Sequence, residues 1–252
     1  VKYHKNDTVS MFDTDSRQVR LYNQNMELVN TMTSKSGCVS FCEYVESMNA
    51  YAVSTSDLSI NFFDGHSCQI VKMFRTPNQN TTVMCWVESK KLLFTGDTKG
   101  SVKAWDCQDM EVRYEAGMKD AYSQGGILLS RKSLGLHRDI ILDIIELDEL
   151  DVLATASMDR TIKLWDLPGG KLKRTLTGHA KGVRKITYNS DYRFLMSVGF
   201  DFDVLVWNPY VANLILRLSD HGCSLCGVEI VPSTPILISA DVEGTFRVWD
   251  VR

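Results

Sequence analysis

Phe194-Leu195-Met196-Ser197-Val198-Gly199-Phe200-Asp201-Phe202-Asp203-Val204-Leu205-Val206-Trp207-Asn208 reads as two apolar runs joined by a short polar turn, the pattern of a β-hairpin. A further apolar segment precedes it, Val183 to Tyr188, and another follows, Leu214 to Leu218, so the unit predicts four strands. Its closing aromatic with Asp or Asn recurs at Tyr22-Asn23, Phe63-Asp64, Trp105-Asp106, Trp165-Asp166 and Trp249-Asp250. The anchors lie 41, 42, 60, 42 and 42 residues apart, so one period runs along the chain and one interval carries 18 extra residues. A period of roughly 40 to 45 residues is that of propeller blades, each a small sheet that buries its faces only against its neighbours. No segment holds a 3.6-residue apolar period, so the reading is all-β with helices nearly absent.

The composition fits a folded domain. With 252 residues, 44% apolar and 23% charged, the chain is long enough to bury roughly three quarters of its unfolded surface. The net charge of −3 and the scattered Lys and Arg argue against a nucleic-acid partner. No apolar run approaches the roughly 20 residues of a membrane span, and the start Val1-Lys2-Tyr3-His4-Lys5 lacks the regions of a signal peptide, so a cytoplasmic location is expected. Seven cysteines (38, 42, 68, 85, 107, 223, 226) cannot all pair, and most sit in β-like apolar segments, which predicts reduced, buried thiols.

These motifs resemble the WD-repeat family across the whole chain. The resemblance implies a single β-propeller domain over residues 1–252 with six recognisable four-stranded blades, and an insertion at about 118–136. It also implies a hydrogen-bonded tetrad per blade: His before the first strand, Ser or Thr on the second, Asp in the hairpin turn and Trp on the third. The residue types suit the task, because a buried indole N–H is only a donor and needs a hydroxyl, which engages an imidazole, which engages a carboxylate. Counted back from Trp, the positions are minus 6 for Asp, minus 10 for the hydroxyl and near minus 28 for His. They give Asp159, Thr155 and His137 for Trp165, and Asp201, Ser197 and His179 for Trp207. For Trp249 they give Ser239 and His221, with Glu243 where Asp is expected. Trp105 keeps Thr95 but has Lys99 and Pro77 in the other places, while Phe63 and Tyr22 stand opposite Val53 and Phe12 and replace the polar chain with apolar contact.

A His with Asp and Ser also suggests acid–base and nucleophilic chemistry. Closely similar triads recur at one spacing in successive blades, as a fold element does, so no catalytic residue and no cofactor is expected. His221-Gly222-Cys223-Ser224-Leu225-Cys226 has a Cys-x-x-Cys but no second ligand pair, and His221 already has a tetrad role, so no metal is expected and Cys226 reads as a small core residue.

The resemblance places the insertion on the tetrad face, the face that members of the family commonly offer to partners. There Ile127, Leu128 and Leu129, preceded by glycines, suit an anchor for another protein, with folding back on the propeller as the alternative. Met158 and Phe200, before the turn aspartates, and Arg138 and Lys181, after the histidines, are further candidate contacts; Phe202 either joins them or packs between blades. The implied function is a non-enzymatic scaffold for protein partners. The alternative is a phosphoinositide- or membrane-binding propeller, but such propellers carry Phe-Arg-Arg-Gly, where this chain has Phe74-Arg75-Thr76.

Aligned on the anchors, Val1 falls inside a first strand and Arg252 two residues after a third, so the expectation is a piece of a longer parent or complex whose propeller has seven blades. The run Gly199 to Tyr210 and the stretch Asp241 to Asp250 resemble large multi-propeller WD-repeat proteins, often with EF-hands, of ciliated cells and protists. That resemblance implies a ciliary, axonemal or microtubule-associated subunit.

Overall fold

A computed structural model of the chain describes residues 2–4, 6–75, 80–106 and 137–252. The expected insertion with Ile127, Leu128 and Leu129 lies outside them, as do Pro77 and Cys107. The described residues form two compact units, one of residues 2–98 with 102–106, the other of 99–101 with 137–252.

The first unit holds three antiparallel meanders. They are β1 (Lys2–Tyr3), β2 (Val9–Phe12), β3 (Gln18–Tyr22) and β4 (Leu28–Thr33); then β5 (Val39–Val45), β6 (Ala50–Thr55), β7 (Ser59–Asp64) and β8 (Ile70–Arg75); then β9 (Thr81–Val87), β10 (Leu92–Asp97) and β11 (Val102–Asp106). The second unit holds β12 (Ile141–Leu147), β13 (Val152–Ser157), β14 (Thr161–Asp166) and β15 (Lys171–Thr177); β16 (Val183–Asn189), β17 (Phe194–Gly199), β18 (Asp203–Asn208) and β19 (Asn213–Ser219); and β20 (Leu225–Ile230), β21 (Ile236–Asp241) and β22 (Phe246–Asp250). Four sheets have four strands, and the third and sixth have three among the described residues. Helix among the described residues is limited to single turns at Glu46–Met48 and Asp148–Leu150, as the missing 3.6 period predicts.

Period-two alternation decides what each strand touches. In β17 and β18, Leu195, Leu205 and Trp207 pack towards the fourth sheet, against Ala154, Ala156, Ile162 and Leu164. The intervening Met196, Val198, Val204 and Val206 pack on the other face, against Leu225, Val228 and Leu237 of the sixth sheet. A middle strand such as Val152-Leu153-Ala154-Thr155-Ala156-Ser157 is therefore buried on both faces, which suits small and β-branched residues. Outer strands are largely exposed.

Two expectations are corrected. Tyr22 does not stand opposite Phe12, since it pairs with Val9 and Phe12 pairs with Val19. The cause is a turn one residue longer than in β13–β14, since Met11 faces Arg20 where Thr155 faces Lys163. Phe63 likewise pairs with Tyr51, and Val53 lies two residues along, in the same apolar cluster. The cysteines are also less buried than expected: Cys42 and Cys68 are buried, whereas Cys38, Cys85, Cys223 and Cys226 are only partly buried. Cys226 is not a core residue; it sits at the register shift of β20, its thiol directed to the carbonyls of Ala240 and Asp241.

A repeated backbone contact fixes the second-to-third-strand turns. Met158 N–H donates to Ile140 O at 2.9 Å, Phe200 N–H to Gly182 O at 2.9 Å and Val242 N–H to Ser224 O at 3.0 Å. At the second of these the chains meet so closely that a Cβ on Gly199 would lie 2.1 Å from Gly182 O, an atom of backbone that cannot swing aside. Gly199→Ala should therefore cost at least about 1–3 kcal/mol, as overpacking does. Gly227→Ala, where a Cβ meets nothing within 4 Å, should be neutral or slightly stabilising. Urea unfolding of the two variants checks this.

Candidate partner-binding surface

Ser197 on β17 and Trp207 on β18 share the face towards the fourth sheet, so the hydroxyl lies in reach of the indole. Trp207 Nε1–H donates to Ser197 Oγ at 2.7 Å, Ser197 Oγ lies 2.7 Å from His179 Nε2, and His179 Nδ1 lies 2.8 Å from Asp201. Indole can only donate and carboxylate can only accept, so a neutral ring carries its proton on Nδ1 and accepts the hydroxyl proton at Nε2. One sheet earlier, Trp165, Thr155, His137 and Asp159 repeat the chain at 2.9, 2.7 and 2.9 Å. Each turn aspartate also accepts the amide after its His, Arg138 N–H in one case and Ala180 N–H in the other, both at 2.9 Å. The chain thus ties a turn to the segment before the first strand. Its hydroxyls are fully buried and already engaged by the indole, which leaves them no access to a substrate.

In the sixth sheet Trp249 donates to Ser239 at 2.8 Å and Ser239 meets His221 at 2.7 Å, but the carboxylate on His221 is Asp241, at 2.9 Å. Glu243, at the expected position, is exposed. Asp241 lies two residues after Ser239 and so projects from the same face of β21, a signal present in the sequence and missed by counting from Trp alone. Asp97 stands two residues after Thr95 in the same way and is buried, and Thr95 accepts from Trp105 at 2.9 Å. The first unit has other polar ties. Asp57 accepts from Ser36, Thr55 and Ser59, and buried His4 meets Ser10 at 2.8 Å. Burial, helped by the Lys2 charge, lowers the His4 ring to about 3.

Held by these ties, the turns of the fourth and fifth sheets frame a recess of about 540 Å³. Met158 and Arg160 come from one turn, Phe200 from the next, Ala180, Lys181 and Gly182 from the segment before β16, and Ser224 from that before β20. Of the four candidate contacts among the described residues, Met158, Lys181 and Phe200 line the recess, and Arg138 is exposed beside Asp159. Sequence reading missed Arg160, which follows the turn Asp with φ of 70°. Phe202 does not pack between sheets: it is 43% exposed, with Lys181 Nζ 5.3 Å from its ring centre. Among the described residues no group of His, Cys, Asp and Glu is arranged to hold a metal ion, and no helix is long and apolar enough to cross a membrane.

Residues 131–166, 170–208 and 212–250 match the family model described as WD domain, G-beta repeat. The chain carries WD40 repeats and its class is that of the WD-repeat β-propeller proteins, which at family level are non-catalytic interaction scaffolds. Among individual relatives, it is 31% identical over 170 residues to Cilia- and flagella-associated protein 337 B of Tetrahymena thermophila, over 67% of this chain and 12% of that protein. It is 35% identical over 124 residues to Nuclear distribution protein nudF of Aspergillus flavus, over 48% of this chain and 27% of that one. With Pre-mRNA-processing factor 19 homolog 2 of Arabidopsis thaliana it shares 33% over 104 residues, 40% of this chain and 20% of that one. The chain thus spans an eighth to a quarter of the length of these relatives.

Two measurements test the tetrads. His179→Ala takes the imidazole from between Ser197 and Asp201, leaving the buried Ser197 O–H without its acceptor and Asp201 with the Ala180 amide but no imidazole, and should cost about 1–3 kcal/mol in urea unfolding. Asp241→Ala should lower the urea midpoint, while Glu243→Ala should shift stability by less than about 0.5 kcal/mol.

Acid provides the second test. At Asp159 burial opposes ionisation, but hydrogen bonds from His137, Thr161 and the Arg138 amide outweigh it and hold the carboxyl well below the usual range. Asp201 strikes the same balance, burial against His179 and the Ala180 amide. At Asp241 the His221 hydrogen bond leads and holds the carboxyl at about 2. Groups depressed on folding add stability in full above their unfolded value of about 3.9 and lose it as pH falls through the folded values. Urea midpoints should therefore fall steeply between about pH 4 and about pH 2, and Asp201→Asn should flatten that limb.

Proposed function

We propose that the six sheets are consecutive blades of one propeller domain and that the chain is an interaction module of a larger cytoplasmic protein of cilia or another microtubule-based assembly. The observation that carries the reading is the recess framed by Met158, Arg160, Lys181 and Phe200: Met, Phe and Arg, types enriched at interfaces, stand on turns that buried hydrogen bonds hold rigid, with Lys181 beside them. The likeness to a protein named for cilia and flagella supports the cellular setting. Ile127, Leu128 and Leu129 are proposed as a second contact.

A photo-crosslinking residue at Phe200 of the full-length parent, expressed in a ciliated cell, should capture defined protein partners from the axonemal fraction. The same residue at Leu172, exposed on outer strand β15, should not. Equal capture at both positions, or none at Phe200, overturns the reading.

A further inference from the structure

Among the described residues, the rim of the recess carries positive charge that forms no ion pair. Arg138, Arg160 and Arg184 are exposed, as is Lys181, and none forms an ion pair with a carboxylate among the described residues. Four of the nearby acids are occupied elsewhere, and a fifth, exposed Asp139 beside Arg138, accepts the Ile140 amide. Asp159 and Asp201 are turned inward onto the histidines, Asp203 holds Arg217 and Ser219, and Asp143 holds Lys185 and the Ile186 amide. The Arg138 charge is felt inside the sheet: burial first, and Arg138 after it, lower the Lys163 ammonium against the pull of Asp159. Cation–aromatic contacts position two of the rim cations without neutralising them, Lys181 on Phe202 and the Arg184 guanidinium 5.9 Å from the Phe200 ring centre.

The floor is apolar and has one narrow point. Met158 and Phe200 approach each other over Gly182, where a Cβ would lie 2.6 Å from Met158 Sδ and 3.3 Å from Phe200 Cδ2. The missing side chain leaves the depression open. A volume near 540 Å³ has room for one or two side chains, not for a folded surface.

We propose that this recess receives a short acidic segment of a partner protein, its Asp and Glu carboxylates meeting Arg160, Lys181, Arg138 and Arg184 and one large apolar side chain seated on Met158 and Phe200. The inference deepens the reading of this face as partner-facing and rests on it. A long polyanion suits the site less, since it would extend beyond four cations over a chain of net charge −3.

The test uses the whole chain and fluorescence anisotropy with labelled peptides rich in Asp and Glu around a central Leu or Phe. Control probes are the same peptide with Asn and Gln for the acids, the same acids around a central Ser, oligouridylate, and phosphatidylserine vesicles. The acidic apolar peptide should bind, weaken as salt rises, and exceed both altered peptides by about tenfold, since removing either the charge or the anchor forfeits about 1.4 kcal/mol. Arg160→Glu with Lys181→Glu should weaken it by about tenfold or more with an unchanged urea midpoint, both residues being exposed. Equal binding of the Asn/Gln peptide, preference for oligouridylate or vesicles, or no binding overturns the inference. If Phe200 still crosslinks to protein in the parent, the acidic specificity alone has failed; if it does not, the partner-facing reading falls with it.

Discussion

A buried indole N–H must find an acceptor, and much of the second unit follows from how Trp165, Trp207 and Trp249 find theirs. Each donates to a hydroxyl two positions along the neighbouring strand, on the same face. That hydroxyl engages an imidazole from outside the sheet, and the imidazole engages a carboxylate at or beside the turn. Third strand, second strand, turn and entry segment thereby become one rigid piece. Removing any single member strands a buried polar group, which costs more than the bond itself contributed. The same rigidity sets Met158 and Phe200 beside each other, so the surface proposed for partners is a by-product of satisfying an N–H in the core.

The first unit shows what happens when the indole is absent. Where Phe63 replaces Trp it needs no acceptor, and Val53, its would-be hydroxyl partner, joins it in an apolar cluster with Tyr51. The turn carboxylate Asp57 persists without a histidine, because three hydroxyls from Ser36, Thr55 and Ser59 supply donors. Polar groups are thus lost together or re-partnered together. Divergence of this kind leaves the strand order within the sheets unchanged, while the register of β2 on β3 shifts by one residue.

A scaffold reading and an enzyme reading draw on the same residue types here, and burial separates them. Ser197 and Thr155 have the neighbours of a nucleophile, yet both oxygens are enclosed and already accept an indole proton. At the recess, the side chains outside the hydrogen-bonded chain carry apolar bulk and positive charge that forms no ion pair among the described residues. Recognition is the chemistry such a surface offers.

The sequence alone determined the repeat count and the strand order within sheets, because a period of 42 residues and an alternation of two are one-dimensional properties of the chain, and most of the tetrads followed from the family resemblance that its motifs carry. The family resemblance named Met158, Phe200 and Lys181 as candidate contacts, and all three line the recess. Tertiary structure decided what spacing cannot encode. Asp241 serves His221 because the packed turn leaves Glu243, at the expected distance from Trp249, exposed to solvent and turns the Asp241 carboxylate onto the imidazole. Tyr22 pairs with Val9 because one added turn residue shifts the register. Arg160 joins the recess through a left-handed backbone at the turn, and among the described residues its charge forms no ion pair because the neighbouring aspartates face the histidines. These outcomes depend on which face a side chain takes and on what is already bonded, and both are settled only once the strands are packed.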